Sequence, residues 1–160
     1  MSEVRHRQRL REKDASRISQ ILSEELGCSV KLDEKPLDAG EYGDLKLLFH
    51  GQKVVGIVIN EKPFPSLRLL QELKPTRKYV EVDMGAVKFV VNGADVMKPG
   101  IVDCDKQILE GDTVFVREAL HRKPIAVGIA IEPGEKLGNR EKGKGVHTIH
   151  WVGDKIWDMW

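Results

Sequence analysis

The chain of 160 residues is long enough for one substantial domain or two small ones. A hydrophobic fraction of 41% and a charged fraction of 32% are those of a globular protein and exclude a wholly disordered chain. With 26 Lys and Arg against 25 Asp and Glu, the net charge of +1 gives no argument for a nucleic-acid partner, and only a local concentration of cations could.

The chain opens on an arginine segment, Ser2–Lys13, with Arg5, Arg7, Arg9 and Arg11 and one large apolar residue, Leu10. It reads as a solvated leader or, alternatively, as an RNA-contacting arm. Charges stand where a secretory signal needs an apolar run. No stretch approaches the ~18 apolar residues of a membrane span. A soluble, cytoplasmic protein with no membrane partner is expected.

From Asp14, the apolar positions Ile18, Ile21, Leu22 and Leu26 fall at helical spacing, with Asp14 as candidate cap and Gly27 as terminator. CSVKLDEKPL is expected to be extended, with Val30 and Leu32 alternating against charged neighbours. Leu45–Phe49 and Val54–Ile59 read as strands of a hairpin around HGQK. FPSLRLLQELKP predicts a short helix capped by Ser66, with Leu69, Leu70 and Leu73 inward, ending by Lys74 because Pro75 follows. Pro75–Lys78 is the candidate boundary between two units, 1–75 and 76–160, each small enough to lean on the other for burial.

The second unit contains strand-like Val80–Asp83, Thr113–Arg117, Ile125–Ile131 and Val146–Trp151, punctuated by glycines, which suggests a small barrel or sandwich. VKFVV, residues 87–91, is ambiguous. Its valines favour a strand. Asp83 before it and Gly93 after it have the chemistry of helix ends, and a helix would put Ala86, Phe89 and Val90 on one face. The residues alone leave both readings open.

No catalytic arrangement emerges. Ser29, Ser66 and Thr113 sit in no nucleophile elbow, and there is no phosphate-binding loop or dinucleotide motif. Cys28 and Cys104 lack metal-ligand spacing and read as buried free thiols, and Asp103 and Asp105 would disfavour a Cys104 thiolate. His147 and His150 in GVHTIHW would point to opposite faces of a strand, one packed and one outward, so they share no metal. No enzyme, cofactor or metal is expected.

Binding is the better class. Arg122 and Lys123, then Lys136, Arg140, Lys142 and Lys144, flank strands, and Gly143 and Gly145 would let a phosphate backbone approach. The competing reading of KGKG is a solvated hairpin. In KIWDMW a helix would set Trp157 and Trp160 on one face, packed on the barrel or exposed to a partner, and Trp151 is expected in the core or a seam.

DMGAVKFVVNGADVMKPGI, then GDTVFV, PIAVGIA and GKGVHTIHWVGDKIW, resemble in order the motifs of the PUA domain, closest to the archaeal and eukaryotic MCT-like translation proteins. The preceding half, with PFPSLRLL, is similar to the pre-PUA domain of that group. The resemblance implies an α+β protein: an α/β pre-PUA domain at 1–75 and a mixed β pseudobarrel with short helices at 76–160. It also implies a helix over Met84–Asn92 and extended structure over Val96–Ile101. PUA domains bind structured RNA with the first helix, the strand beyond it and the last strand, which here are Gly85–Lys88, Gly93–Gly100 and Gly143–His147.

Lys88 and Lys98 are then the candidate phosphate contacts and Gly85 and Gly93 the points of close approach, with Gly100 and His147 also in the RNA-binding set. Phe89 and Val91 are expected chiefly in the core. Asp83 is expected as a cap and Asp112 as a turn residue, with Asp95 also near this surface. The implied function is non-catalytic binding of tRNA or small-subunit rRNA in translation initiation or ribosome recycling, with a second translation factor as companion. The alternatives are an RNA-targeting accessory subunit of a tRNA-modifying enzyme and a protein-interaction module.

Overall fold

The computed structural model describes residues 3–160, so Ser2 at the head of the arginine segment lies outside it. In the first half, an antiparallel sheet runs through β1 (Arg5–Arg9), β2 (Asp38–Tyr42), β3 (Leu45–His50), β4 (Lys53–Ile59) and β5 (Lys62–Pro65), each paired with the next. The expected hairpin is its centre, where Leu47 pairs with Ile57 and Phe49 with Val54. The arginine segment is solvated, as expected of a leader, but Arg5–Arg9 is ordered. Arg5–Arg9 is an edge strand paired with β2, and Arg7 and Arg9 both donate to Asp38. Its charges suit an edge, where they discourage pairing with another chain. Pro63 and Pro65 lie in β5 at the other edge, a sheet position that tolerates proline.

Helix α1 (Glu12–Leu26) buries Ala15, Ser19, Leu22 and Leu26, while Ile21 stays exposed. The helix starts before Asp14, which sits in its first turn and accepts from Arg11 at 3.2 Å, so Asp14 is not the cap. Gly27 closes the helix at φ 65°. Val30 and Leu32 alternate inward as expected, yet no strand forms. Their amides donate to the Ser23 and Ser19 hydroxyls at 2.8 and 2.9 Å, which replace a neighbouring strand. Helix α2 (Leu67–Leu70) is a single turn. Ser66 Oγ donates to the Val54 carbonyl and accepts from the Leu69 amide.

The second half contains β6 (Tyr79–Val82), α3 (Met84–Val90), β7 (Val96–Met97), a 3-10 turn (Lys98–Gly100), β8 (Ile101–Cys104), β9 (Thr113–Glu118), β10 (Pro124–Ala130), α4 (Gly134–Leu137) and β11 (Lys144–Trp151). Its sheet order is β7-β11-β10-β9-β6-β8, with β6 and β9 parallel and the other pairs antiparallel. Strands β7 and β8 lie at opposite edges although only three residues separate them. The sheet therefore curls until its edges nearly meet. The 3-10 turn bridges the gap. Lys98 N donates to Gly143 O on one side, and Gly100 O accepts from Asp83 N on the other. Val96–Ile101 is accordingly not one extended run. Val80, Val82, Val114, Val116, Val146 and Leu137 fill the barrel.

VKFVV is largely helical. Asp83 Oδ1 accepts from the Ala86 amide at 3.0 Å and the chain turns out at Gly93, φ 88°. The helix ends at Val90, with turns continuing to Gly93. At about 100° per residue, Ala86, Val87 and Val90 form the inward arc. Met84, Gly85, Lys88, Phe89 and Asn92 form the outward one. Phe89 is thus 59% exposed and not core, and Val91 is half-buried.

The two halves share a junction. Phe115 and Val127, paired across β9 and β10, belong to the core of the first half. So does Ile156, because the segment after β11 crosses back and Met159 O accepts from Val54 N at 2.8 Å. This segment is a series of turns, not a helix, so its tryptophans do not share a helical face. The Trp157 ring lies 3.6 Å from the Arg68 guanidinium, and Trp160 meets Lys53 at 5.1 Å.

Candidate nucleic-acid interface

Three neighbouring elements form one edge of the barrel. Helix α3 lies alongside residues 94–100 because both its ends are tied to them: Asp83 N donates to Gly100 O, and Ala94 N donates to Phe89 O. The other side of the same segment pairs with β11, Met97 opposite Lys144 and Val96 opposite Val146. Helix α3, β11 and the loop before β11 expose part of the expected set: Gly85 and Lys88 on α3, Lys144 and His147 on β11, and Arg140, Lys142 and Gly143 in the loop. Among the described residues, no carboxylate pairs with Lys88, Arg140 or Lys142.

Asp95 organises the β11 end. Its carboxylate accepts from the Thr148 amide at 3.0 Å and from His147 Nδ1 at 3.0 Å, and it lies 3.1 Å from Lys144 Nζ. Burial pushes this carboxyl upward, but the Thr148 amide, Lys144 and His147 outweigh it and hold it below the usual aspartate range. Lys144 and His147 still expose more than half of their side chains. They can turn from Asp95 to an incoming phosphate.

Other members of the expected set lie elsewhere. Lys98 is buried, with only 4% of its side chain exposed, and donates to Glu132 at 2.8 Å, so it offers no free charge to phosphate. The barrel needs backbone closure at this point, and closure draws the side chain inward. Gly93 approaches the Trp151 indole, which would lie 2.9 Å from an added Cβ, so that close approach serves packing. Gly145 is buried under Ile101, and Gly100 lies against Ala86. Arg122 and Lys123 occupy the β9–β10 hairpin, where Glu118 accepts from the His121 and Lys123 amides. Because β10 and β11 are antiparallel, this tip is a strand length, ~20 Å at ~3.3 Å per residue, from Lys144. The two cationic loops do not converge.

The sequence reading missed three exposed apolar side chains along the edge: Met84, Phe89 and Met97. Helical periodicity alone did not find Phe89, because it allows a face of Ala86, Phe89 and Val90; packing turned Val87 inward and Phe89 outward. His147 and His150 do point apart. His147 is exposed, whereas His150 is fully buried, with Nδ1 2.7 Å from Asp154 and Nε2 accepting from the Leu67 amide at 3.2 Å. Asp83 caps as expected, and Asp112 both accepts from the Leu109 amide and pairs with Lys78. Both cysteines are free. Burial pushes both thiols up, and Cys28 is only half-buried. No group of three or more His, Cys, Asp or Glu side chains placed to hold a metal occurs among the described residues.

A small curled barrel with a cationic, partly apolar edge defines a binding module. The PUA domain family matches residues 78–152, spanning β6 to the end of β11, and the chain belongs to the PUA-domain proteins. An uncharacterized protein of Methanocaldococcus jannaschii is 44% identical over 116 residues, 72% of each chain. A hypothetical protein of Pyrococcus horikoshii superposes at TM-score 0.80 with 33% identity, covering 95% of this chain and 98% of that one. Translation machinery-associated protein 20 of Schizosaccharomyces pombe is 32% identical over 97 residues, 58% of this chain and 54% of that protein, so the match spans about half of that relative.

Proposed function

We propose that the chain is a non-catalytic binder of structured RNA that works in translation. Residues 76–160 carry the interface and residues 1–75 brace it. The observation that supports this most is the mixed chemistry of the α3–β7–β11 edge. Lys88, Lys142 and Lys144 stand beside exposed Phe89 and Met97 on adjacent elements. A merely solvated lysine loop needs no exposed aromatic neighbour. An RNA site uses both, cations for phosphates and an aromatic face for an unstacked base. The translation context rests on the relatives whose names carry it. Within this reading the RNA is tRNA or small-subunit rRNA, the compartment is the cytoplasm and a second translation factor is the companion.

Crosslinking to total cellular RNA, with mapping of the crosslinked bases, tests the reading. Lys88→Ala/Lys142→Ala/Lys144→Ala should lose most recovery and lower the salt slope of binding by about 0.9 for each phosphate no longer neutralised. Phe89→Ala should weaken binding by ~1–3 kcal/mol, the worth of a stacked base, with little change in that slope. Unchanged recovery from both variants would sink the interface. Recovery of tRNA or rRNA decides between the two RNAs, and the proteins captured alongside test for the companion factor.

A further inference from the structure

The first half contains a cleft that the edge interface does not use. It has a volume of about 880 Å3, is bounded by β1, by residues 31–36 and by the β3–β4 turn, and has Trp160 on its wall. That volume lies within the ~300–1,000 Å3 of small-ligand sites. Five cations line it, Arg7, Arg9, Lys31, Lys35 and Lys53, against three carboxylates, Glu34, Asp38 and Glu72.

The cations are unequally engaged. Arg7 and Arg9 share the single carboxylate of Asp38, which leaves one positive charge over. Arg9 first, then Arg7, hold that carboxyl below the usual range. Arg7 is fixed further by the Gly51 carbonyl and by the Phe49 ring, 4.4 Å from its guanidinium. Lys31 reaches Glu34 only at 3.6 Å, both side chains being about two-thirds exposed. Lys35 is exposed and has no carboxylate partner among the described residues. Lys53 stands over the Trp160 ring at 5.1 Å, and that indole is 37% exposed.

We propose that this cleft holds a single-stranded segment of RNA, with a base stacked on Trp160 and the adjoining phosphates met by Lys31, Lys35, Lys53 and Arg9. An acidic peptide would use the cations but has no use for a flat indole beside them. A run of nucleotides uses both, as single-strand sites commonly do. The nature of the polymer rests on the RNA reading above; the site itself rests on the cleft.

The test is titration of the full chain with pentaadenylate, read by tryptophan emission, for the parent, Trp160→Leu, Lys31→Ala/Lys35→Ala and the edge variant Lys142→Ala/Lys144→Ala. Lys31 and Lys35 are exposed, so matched thermal midpoints with the parent are expected. The expected result is a saturable emission change that Trp160→Leu abolishes. The cleft-lysine variant binds more weakly, with a salt slope lower by about 1.4, or ~0.7 for each single-strand phosphate no longer neutralised, while the edge variant keeps the signal.

An emission change that survives in Trp160→Leu, with affinity unchanged in the cleft-lysine variant, overturns the proposal. AMP binding as tightly as the pentamer overturns it in favour of a mononucleotide pocket. The same change with oligoglutamate overturns it in favour of an acidic peptide. If only the edge variant loses the pentamer, the cleft proposal fails and the edge interface stands. If neither lysine variant is affected, the cleft proposal fails, and the edge interface is judged by the crosslinking experiment alone.

Discussion

Lys98 Nζ lies 2.8 Å from Glu132 Oε2, and the lysine side chain is almost wholly buried while the glutamate is about one-third exposed. The pair stands where the barrel closes, and its members are unequally solvated. Lys98→Met should cost about 1.5–3 kcal/mol, the worth of a hydrogen bond to a charged group, because Glu132 can turn to water. Glu132→Ala should cost more, about 3–5 kcal/mol, since it strands a buried ammonium. Urea denaturation of the two variants checks the order. Equal losses would mean that both side chains reach water in the native state.

Gly93 presents a bare α-carbon to the Trp151 ring at positive φ. Gly93→Ala meets a steric clash and a backbone conformation that alanine disfavours. It should lose at least ~1 kcal/mol. The near-ultraviolet signal of Trp151 should change with it, because the indole must move. A variant as stable as the parent would show that the indole yields without cost.

In the proposed interface, Asp95 and RNA compete for Lys144 and His147. Asp95→Asn should raise RNA affinity by a factor of about 1.4 to 5, because an exposed ion pair that holds back a cation is worth ~0.2–1 kcal/mol. The same carboxyl makes stability depend on pH. Its native pKa lies below the ordinary aspartate value. Its contribution is therefore complete above that ordinary value and is lost as pH falls through the lower native one. Stability curves of the parent and Asp95→Asn should converge on acidification. Parallel curves would remove Asp95 from the account.

His150 joins the two halves, accepting from the Leu67 amide while facing Asp154, which also accepts from the Trp151 and Trp157 amides. An acceptor at Nε2 requires the proton on Nδ1, which donates to Asp154. His150→Ala should cost about 2–4 kcal/mol through the missing buried hydrogen bonds and the cavity. Amide exchange at Leu67 and Trp157 should accelerate together. Acceleration at only one of them would break the proposed link.

Local chemistry was legible where it acts within a few residues. The sequence contains the Asp83 cap, the Gly27 and Gly93 helix ends, the β3–β4 hairpin and the opposed faces of His147 and His150, because each follows from a short-range period or turn rule. The ordered motifs from Asp83 to Trp157 added the barrel and its family. Lys88, Lys142, Lys144 and His147 are exposed for equally local reasons, on the outer arc of α3, in the loop before β11 and on the outward positions of β11.

Only the tertiary structure decided the rest, because it depends on partners far along the chain. Arg5–Arg9 became a strand when Asp38–Tyr42 came beside it. Val30 and Leu32 remained outside any strand because Ser19 and Ser23 took their amides. Lys98 was withdrawn from the expected interface by Glu132, 34 residues away, and Trp157 and Trp160 each lie against a different cation, Arg68 and Lys53. A sequence names the cations and aromatics a chain can offer. Curling of the sheet and docking of the two halves determine which of them water, a buried carboxylate or an RNA can reach.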